Sequence, residues 1–167
     1  MIFSHLMTRD YPHSTVYLRR ALATLPTQQK KVWEEFMFYG EYMEDEALEV
    51  IREGSEPTLL PVHMGRHNYG SYEGQFDSSK VNWIYMNKYY FEMFDASEEN
   101  RQDKMFQQFL LGVLLHELVH FGDARDGVDP GAEEGEAFER AAYGRRLFPQ
   151  GVWQFRAMRE WMAGNAR

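Results

Sequence analysis

A chain of 167 residues, 44% hydrophobic and 16% aromatic, is long enough for one domain with its own core and too apolar to be disordered. Its net charge of −8 argues against nucleic acid or an anionic membrane as a general partner, and no Lys/Arg cluster offsets it. Cysteine is absent, which excludes disulfides, iron–sulfur clusters, thiolate metal sites and a cysteine nucleophile.

The amino-terminal MIFSHLMTRDYPHS has no basic stretch followed by an apolar run, so no signal peptide is expected. Ser14 is expected to cap a helix through Val16, Leu18, Leu22 and Leu25, ended by Pro26. Val32, Trp33, Phe36 and Met37 are spaced for one buried face of a second helix over 27–39, with Gly40 as its stop. In the acidic stretch 41–53, Tyr42, Met43, Ala47, Leu48 and Ile51 form an apolar stripe. Its carboxylates therefore read as a solvated helix face and not as a cation site. Between 54 and 74, prolines and glycines break the pattern, which leaves loop or short irregular strand carrying His63 and His67. The stretch 80–94, KVNWIYMNKYYFEMF, is dense in strand formers and reads as a strand, or a hairpin turning at Asn87-Lys88.

Ser97 reads as the N-cap of one long helix running to about Phe121, where Gly122 permits its end. The apolar run 109–119 inside it is interrupted by Gly112, His116 and Glu117, and is too short and polar to span a bilayer. Asp129 and Pro130 open a further helix to Leu147, closed by Pro149. A last amphipathic segment, 152–162, would pack Trp153, Phe155, Met158 and Trp161 in part against the body. No repeat or linker divides the chain, so residues 1–167 read as a single domain. Its expected class is α+β, compact and mostly helical, with a small β-sheet beside the histidine-bearing helix.

HELVHFGDARDG, residues 116–127, carries the chemistry. His116 and His120 are i and i+4, so both imidazoles lie on one helix face and reach one ion. Glu117, roughly 100° around the helix, approaches a coordinated water from the side without taking a ligand position. A catalytic zinc ion needs a third protein ligand and an open position, and without cysteine the downstream acids must supply that ligand. Glu136, 16 residues after His120, is the first choice; Glu133 and Asp126 are the alternatives. Glu139, one turn after Glu136, is expected to accept a histidine ring N–H instead. Asp123 would serve a ligating histidine or loop amides, and Arg140 a surface ion pair with Glu136 or Glu133.

Such an ion brings the pKa of its water toward neutrality, and Glu117 then acts as general base before returning the proton to a leaving amine. Tyr143 is the candidate oxyanion donor, with Tyr69, His67 and His63 as alternatives. The strand from Trp83 to Phe91 would offer an edge for an extended peptide.

At these residues the sequence resembles the zincin metallopeptidases. HELVH is their shared motif, and EGEAFERAAYG is similar to the glutamate-bearing second helix of the gluzincin branch, which carries Glu136 over as third ligand. HELVHFGDARDG with EEGEAFERAAYG also resembles compact metallopeptidase effector domains of bacterial polymorphic toxins and contact-dependent secretion systems, type VI among them. The likeness runs from His116 to Arg145, and the first 95 residues match no motif. Two departures stand out. The metzincin pattern has glycine where this chain has Asp123, and would put its third ligand on Asp126. The substrate-binding histidine signature of thermolysin-like enzymes does not follow Tyr143.

The resemblance implies a zincin-like fold, one catalytic Zn2+, a peptide or protein substrate and a cognate immunity protein. It also implies that the chain is the carboxy-terminal domain of a larger effector, delivered by a bacterial secretion system to the periplasm or cytoplasm of a target cell. Two rival readings stay open: a zinc-stabilised, non-catalytic interaction module completed by His63 or His67, and a metal-free interaction domain with core histidines.

Overall fold

The computed structural model describes residues 1–65, 68–74, 76–125 and 134–147. Four short strands form one mixed sheet in the order β1-β2-β4-β3. β1 (Ile2–Phe3), β2 (Thr58–Val62) and β4 (Trp83–Asn87) run parallel, and β3 (Gly70–Tyr72) pairs antiparallel with β4. Around it, among the described residues, lie α1 (His5–Asp10), α2 (Pro12–Gln28), α3 (Lys30–Tyr39), α4 (Glu44–Ile51), α5 (Lys88–Ala96), α6 (Glu98–Gln102), α7 (Lys104–Asp123) and α8 (Glu134–Tyr143). The expected class, mostly helical α+β with a small sheet, is the observed one.

Several elements differ from expectation because polar side chains choose the boundaries. Residues 80–94 are neither a long strand nor a hairpin: β4 ends at Asn87, whose Oδ1 accepts from the Tyr89 N–H and starts α5. The aromatic run YYFEMF looks strand-like, yet in α5 it buries Tyr90, Phe91, Met93 and Phe94 on the core. The long helix from Ser97 is two helices. Ser97 caps α6, and Asp103 breaks in to cap α7 by accepting from the amides of Met105 (2.8 Å) and Phe106 (3.2 Å). Each such cap is worth about 1 kcal/mol.

Gly122 does not end that helix, which continues through Asp123. Ser14 is not a cap either. It sits inside the first turn of α2, where the Asp95 carboxylate of α5 accepts the His13 and Ser14 amides, both at 2.9 Å. Pro26 lies within the last turn of α2, which runs on to Gln28. Gly40 stops α3 as expected. The stretch 54–74 holds β2 and β3. The expected helix start at Asp129-Pro130, Pro149 and the segment 152–162 lie outside the described residues.

β4 is interior, not an edge. The edge beside it is β3, because β3 inserts antiparallel on the flank that β2 leaves open. α7 runs through the middle of the molecule, packed on α8, α3, α2, β3 and β4. It is therefore buried nearly all round, from Phe109 through Leu115 and again at Leu118 and Val119, with no single apolar stripe. The Tyr42 hydroxyl donates to the Leu118 carbonyl at 2.6 Å and ties the end of α3 to α7; burial raises its pKa. No helix among the described residues is long and apolar enough to cross a membrane.

Candidate active site

α7 sets the geometry. The Nε2 atoms of His116 and His120 approach to 3.2 Å. Two imidazoles on a tetrahedral zinc ion, each bound at about 2.0–2.1 Å, hold their nitrogens about 3.3 Å apart. The rings thus stand at the separation one ion requires. The other nitrogen of His116, Nδ1, lies 2.8 Å from Oε1 of Glu139 on α8. A carboxylate oxygen accepts, so Nδ1 is the donor of this bond and Nε2 is the nitrogen turned toward His120. Glu139 is wholly buried, and its Oε2 accepts from the Leu147 N–H at 2.7 Å.

Two close approaches frame this pair of side chains. On the α8 side, a Cβ at Gly135 would stand 2.5 Å from both Cδ2 and Cε1 of His116 and no farther from Nε2. Near-equal distances to three ring atoms place Gly135 over the face of the imidazole, off the lone-pair axis. On the β3 side, a Cβ at Gly70 would stand 2.5 Å from Oε1 of Glu117 and 2.9 Å from its Cδ. Glu117 is only 6% exposed, so the strand backbone forms one wall of its pocket. One turn along α7, the Phe121 ring meets Tyr72 of β3 at 5.7 Å and 86°. β3 therefore runs along the Glu117–Phe121 face of α7.

The remaining expected residues fall in different places. The Glu136 carboxylate pairs with Arg146, and with Arg140 at 3.5 Å, on the half-exposed rim of α8. Among the described residues, no group of three or more His, Asp or Glu forms a ready metal cluster. Glu133 and Asp126 lie outside the described residues, as do His67 and Met158. His63 is exposed just after β2. Tyr69 packs its ring on Tyr90 and Phe109. Tyr143 stacks edge-on with Phe138, and its hydroxyl is buried with no hydrogen-bond partner among the described residues; burial raises its pKa. Asp123 is buried at the end of α7.

Sequence reasoning missed Gly70, Gly135 and Asn87. Gly70 fell in the loop-like stretch 54–74 and Gly135 inside the expected helix from Pro130, and nothing in one sequence says which side chain needs the space. Asn87 is buried, and its amide donates to the Asn68 carbonyl at 2.8 Å and the Gly65 carbonyl at 3.3 Å, ahead of β3. Its N-cap role was readable from Asn followed by a helical pattern.

Converging imidazoles, one anchored by a buried carboxylate, with a second acid on the next residue, are the donor set of a metal-dependent hydrolase. The chain belongs to the metallopeptidase toxin 3 family, whose model matches residues 7–144. No curated protein and no solved structure matches it. The protein is thus a metallopeptidase of the bacterial toxin class, a metal-dependent enzyme acting on peptide or protein. The match starts at Met7, so residues 7–95, which carry no legible motif, fall within it.

Proposed function

We propose that residues 1–167 form one catalytic domain that hydrolyses peptide bonds with a single zinc ion held by His116 and His120, with Glu117 as general base. The observation that carries this reading is the 3.2 Å approach of the two Nε2 atoms, with Nδ1 of His116 committed to Glu139. Zinc bound there supplies Lewis-acid activation of water and of the scissile carbonyl. Glu117 takes a proton from the attacking water and returns it to the leaving amine, acting as base and then as acid. Its burial against Gly70 keeps bulk water away from that proton.

Glu136 is the proposed third ligand, with Glu133 and Asp126 as alternatives. Its present partners are half-exposed arginines, and such ion pairs are worth about 0–1 kcal/mol, so they yield easily to an ion. An extended substrate would align on the edge of β3, which borders Glu117. The Tyr143 hydroxyl is enclosed, which argues against it as the oxyanion donor. Family membership supports delivery by a bacterial secretion system into the periplasm or cytoplasm of a target cell, and a cognate immunity protein.

Metal analysis together with a peptidase assay on Glu117→Ala tests the mechanism. The variant is expected to retain one zinc ion and to lose about 10²–10⁴-fold in turnover. Cleavage at the wild-type rate would remove the general base and favour the zinc-stabilised, non-catalytic module.

A further inference from the structure

Glu139 uses both carboxylate oxygens, one on Nδ1 of His116 at 2.8 Å and one on the Leu147 amide at 2.7 Å. A buried carboxylate must be matched to donors, and these two set its rotation about the last side-chain bond. Leu147 follows the end of α8 by four residues, after a turn at Gly144 with φ 72°. That left-handed turn brings the chain back onto the flank of α7. There the Leu147 side chain, 5% exposed, fills a notch at Gly112. A Cβ on residue 112 would collide with its Cδ1, and Cε2 of Tyr143 lies 3.5 Å from the same point. Gly112 precedes His116 by four residues, so the notch sits one turn away on the histidine face. Leu147 thus holds the ligand helix by its side chain and the ligand's carboxylate partner by its backbone. It lies beyond the residues that the family model matches.

We infer that Leu147 is a positioning residue for the metal centre: seated at Gly112, its amide fixes Glu139, and Glu139 fixes the orientation and tautomer of His116. The inference rests on the zinc reading above. Loss of this anchor lets the carboxylate rotate and frees the imidazole to turn, which weakens the ion's hold without touching any ligand.

The experiment uses the full chain, stripped of metal, with zinc affinity read by competition against a fluorescent chelator and the melting temperature of the metal-free protein read in parallel. Leu147→Pro removes the amide donor, Gly112→Ala fills the notch, Glu139→Gln weakens the acceptor, and Leu147→Met keeps both seat and amide. The first three are expected to lose about 10–100-fold in zinc affinity, and Leu147→Met to stay within about threefold of wild type.

A purely structural Leu147 would lower the metal-free melting temperature of Leu147→Pro and leave its zinc affinity unchanged; that result overturns the inference. Should Leu147→Pro fail to fold, Gly112→Ala decides alone, since alanine favours the helix it enters. Wild-type zinc affinity in Gly112→Ala would equally overturn it. Failure of the wild-type protein to bind zinc at all would sink the zinc reading and this inference with it. Tight wild-type binding with unaffected variants would sink the inference alone.

Discussion

His116 and Glu117 are neighbours in sequence, yet α8 holds the first and β3 the second. On the α8 side a carboxylate with no solvent exposure grips an imidazole N–H, and Gly135 covers the ring face. On the β3 side a strand backbone, kept bare by Gly70, lies against the acid. The difference suits the two tasks proposed for them. A metal ligand works best with one orientation fixed by a partner that accepts its proton. A general base must accept a proton in one place and release it in another, so its reach depends on the wall that bounds it.

Alanine at each glycine breaks the comparison from one side at a time. Gly135→Ala drives a methyl group into the His116 ring: zinc affinity is expected to fall about 10–100-fold, and turnover at limiting zinc falls with it. Overpacking of this kind costs about 1–3 kcal/mol, partly offset by alanine's helix propensity, so loss of stability must be read separately from loss of zinc. Titration with a chelator, alongside thermal melts of the metal-free protein, separates the two. Unchanged zinc affinity would mean that the ring has room to move aside.

Gly70→Ala presses on the Glu117 carboxylate instead. Displacing a catalytic group by about an ångström costs on the order of 10²-fold in rate, so turnover should drop by that order while zinc stays bound at wild-type affinity. The split itself is the prediction: Gly135→Ala moves metal affinity, Gly70→Ala moves turnover. Equal losses of both in either variant would show that the two flanks act as one.

The same contrast explains what could be read from the chain. His116, Glu117 and His120 were legible because a five-residue pattern on one helix fixes its own geometry. Glu139 was legible as a hydrogen-bond acceptor for a histidine ring, because its turn of α8 brings it to His116. The partners that tune the site were not. Gly70 and Gly135 act by what they lack, and their contacts join residues 47 and 19 positions apart. The boundary at Asp103 was hidden because an acid within EENRQDKMFQQF reads as one more polar helix residue. Only the two amides it accepts reveal it as a cap.

Tyr143 gives the smallest effect and the cleanest sign. Its hydroxyl is buried with no hydrogen-bond partner among the described residues, so Tyr143→Phe removes a desolvated group. Stability near neutral pH is expected to hold or rise by on the order of 1 kcal/mol in urea denaturation. Turnover should change by less than about tenfold, short of the 10²–10³-fold that loss of an oxyanion donor brings. A loss in that larger range would restore the hydroxyl to the reaction. The pH dependence follows from the direction of the shift. Burial raises the folded-state pKa above the ordinary 10.0, so the folded protein holds this proton more tightly than the unfolded chain does. The stability tied to it is intact below that ordinary value and drains away as pH climbs through the folded pKa. Phenylalanine has no proton to lose. The advantage of Tyr143→Phe over wild type should therefore widen above pH 10, and a constant difference across that range would mean that the hydroxyl is solvated in the folded protein.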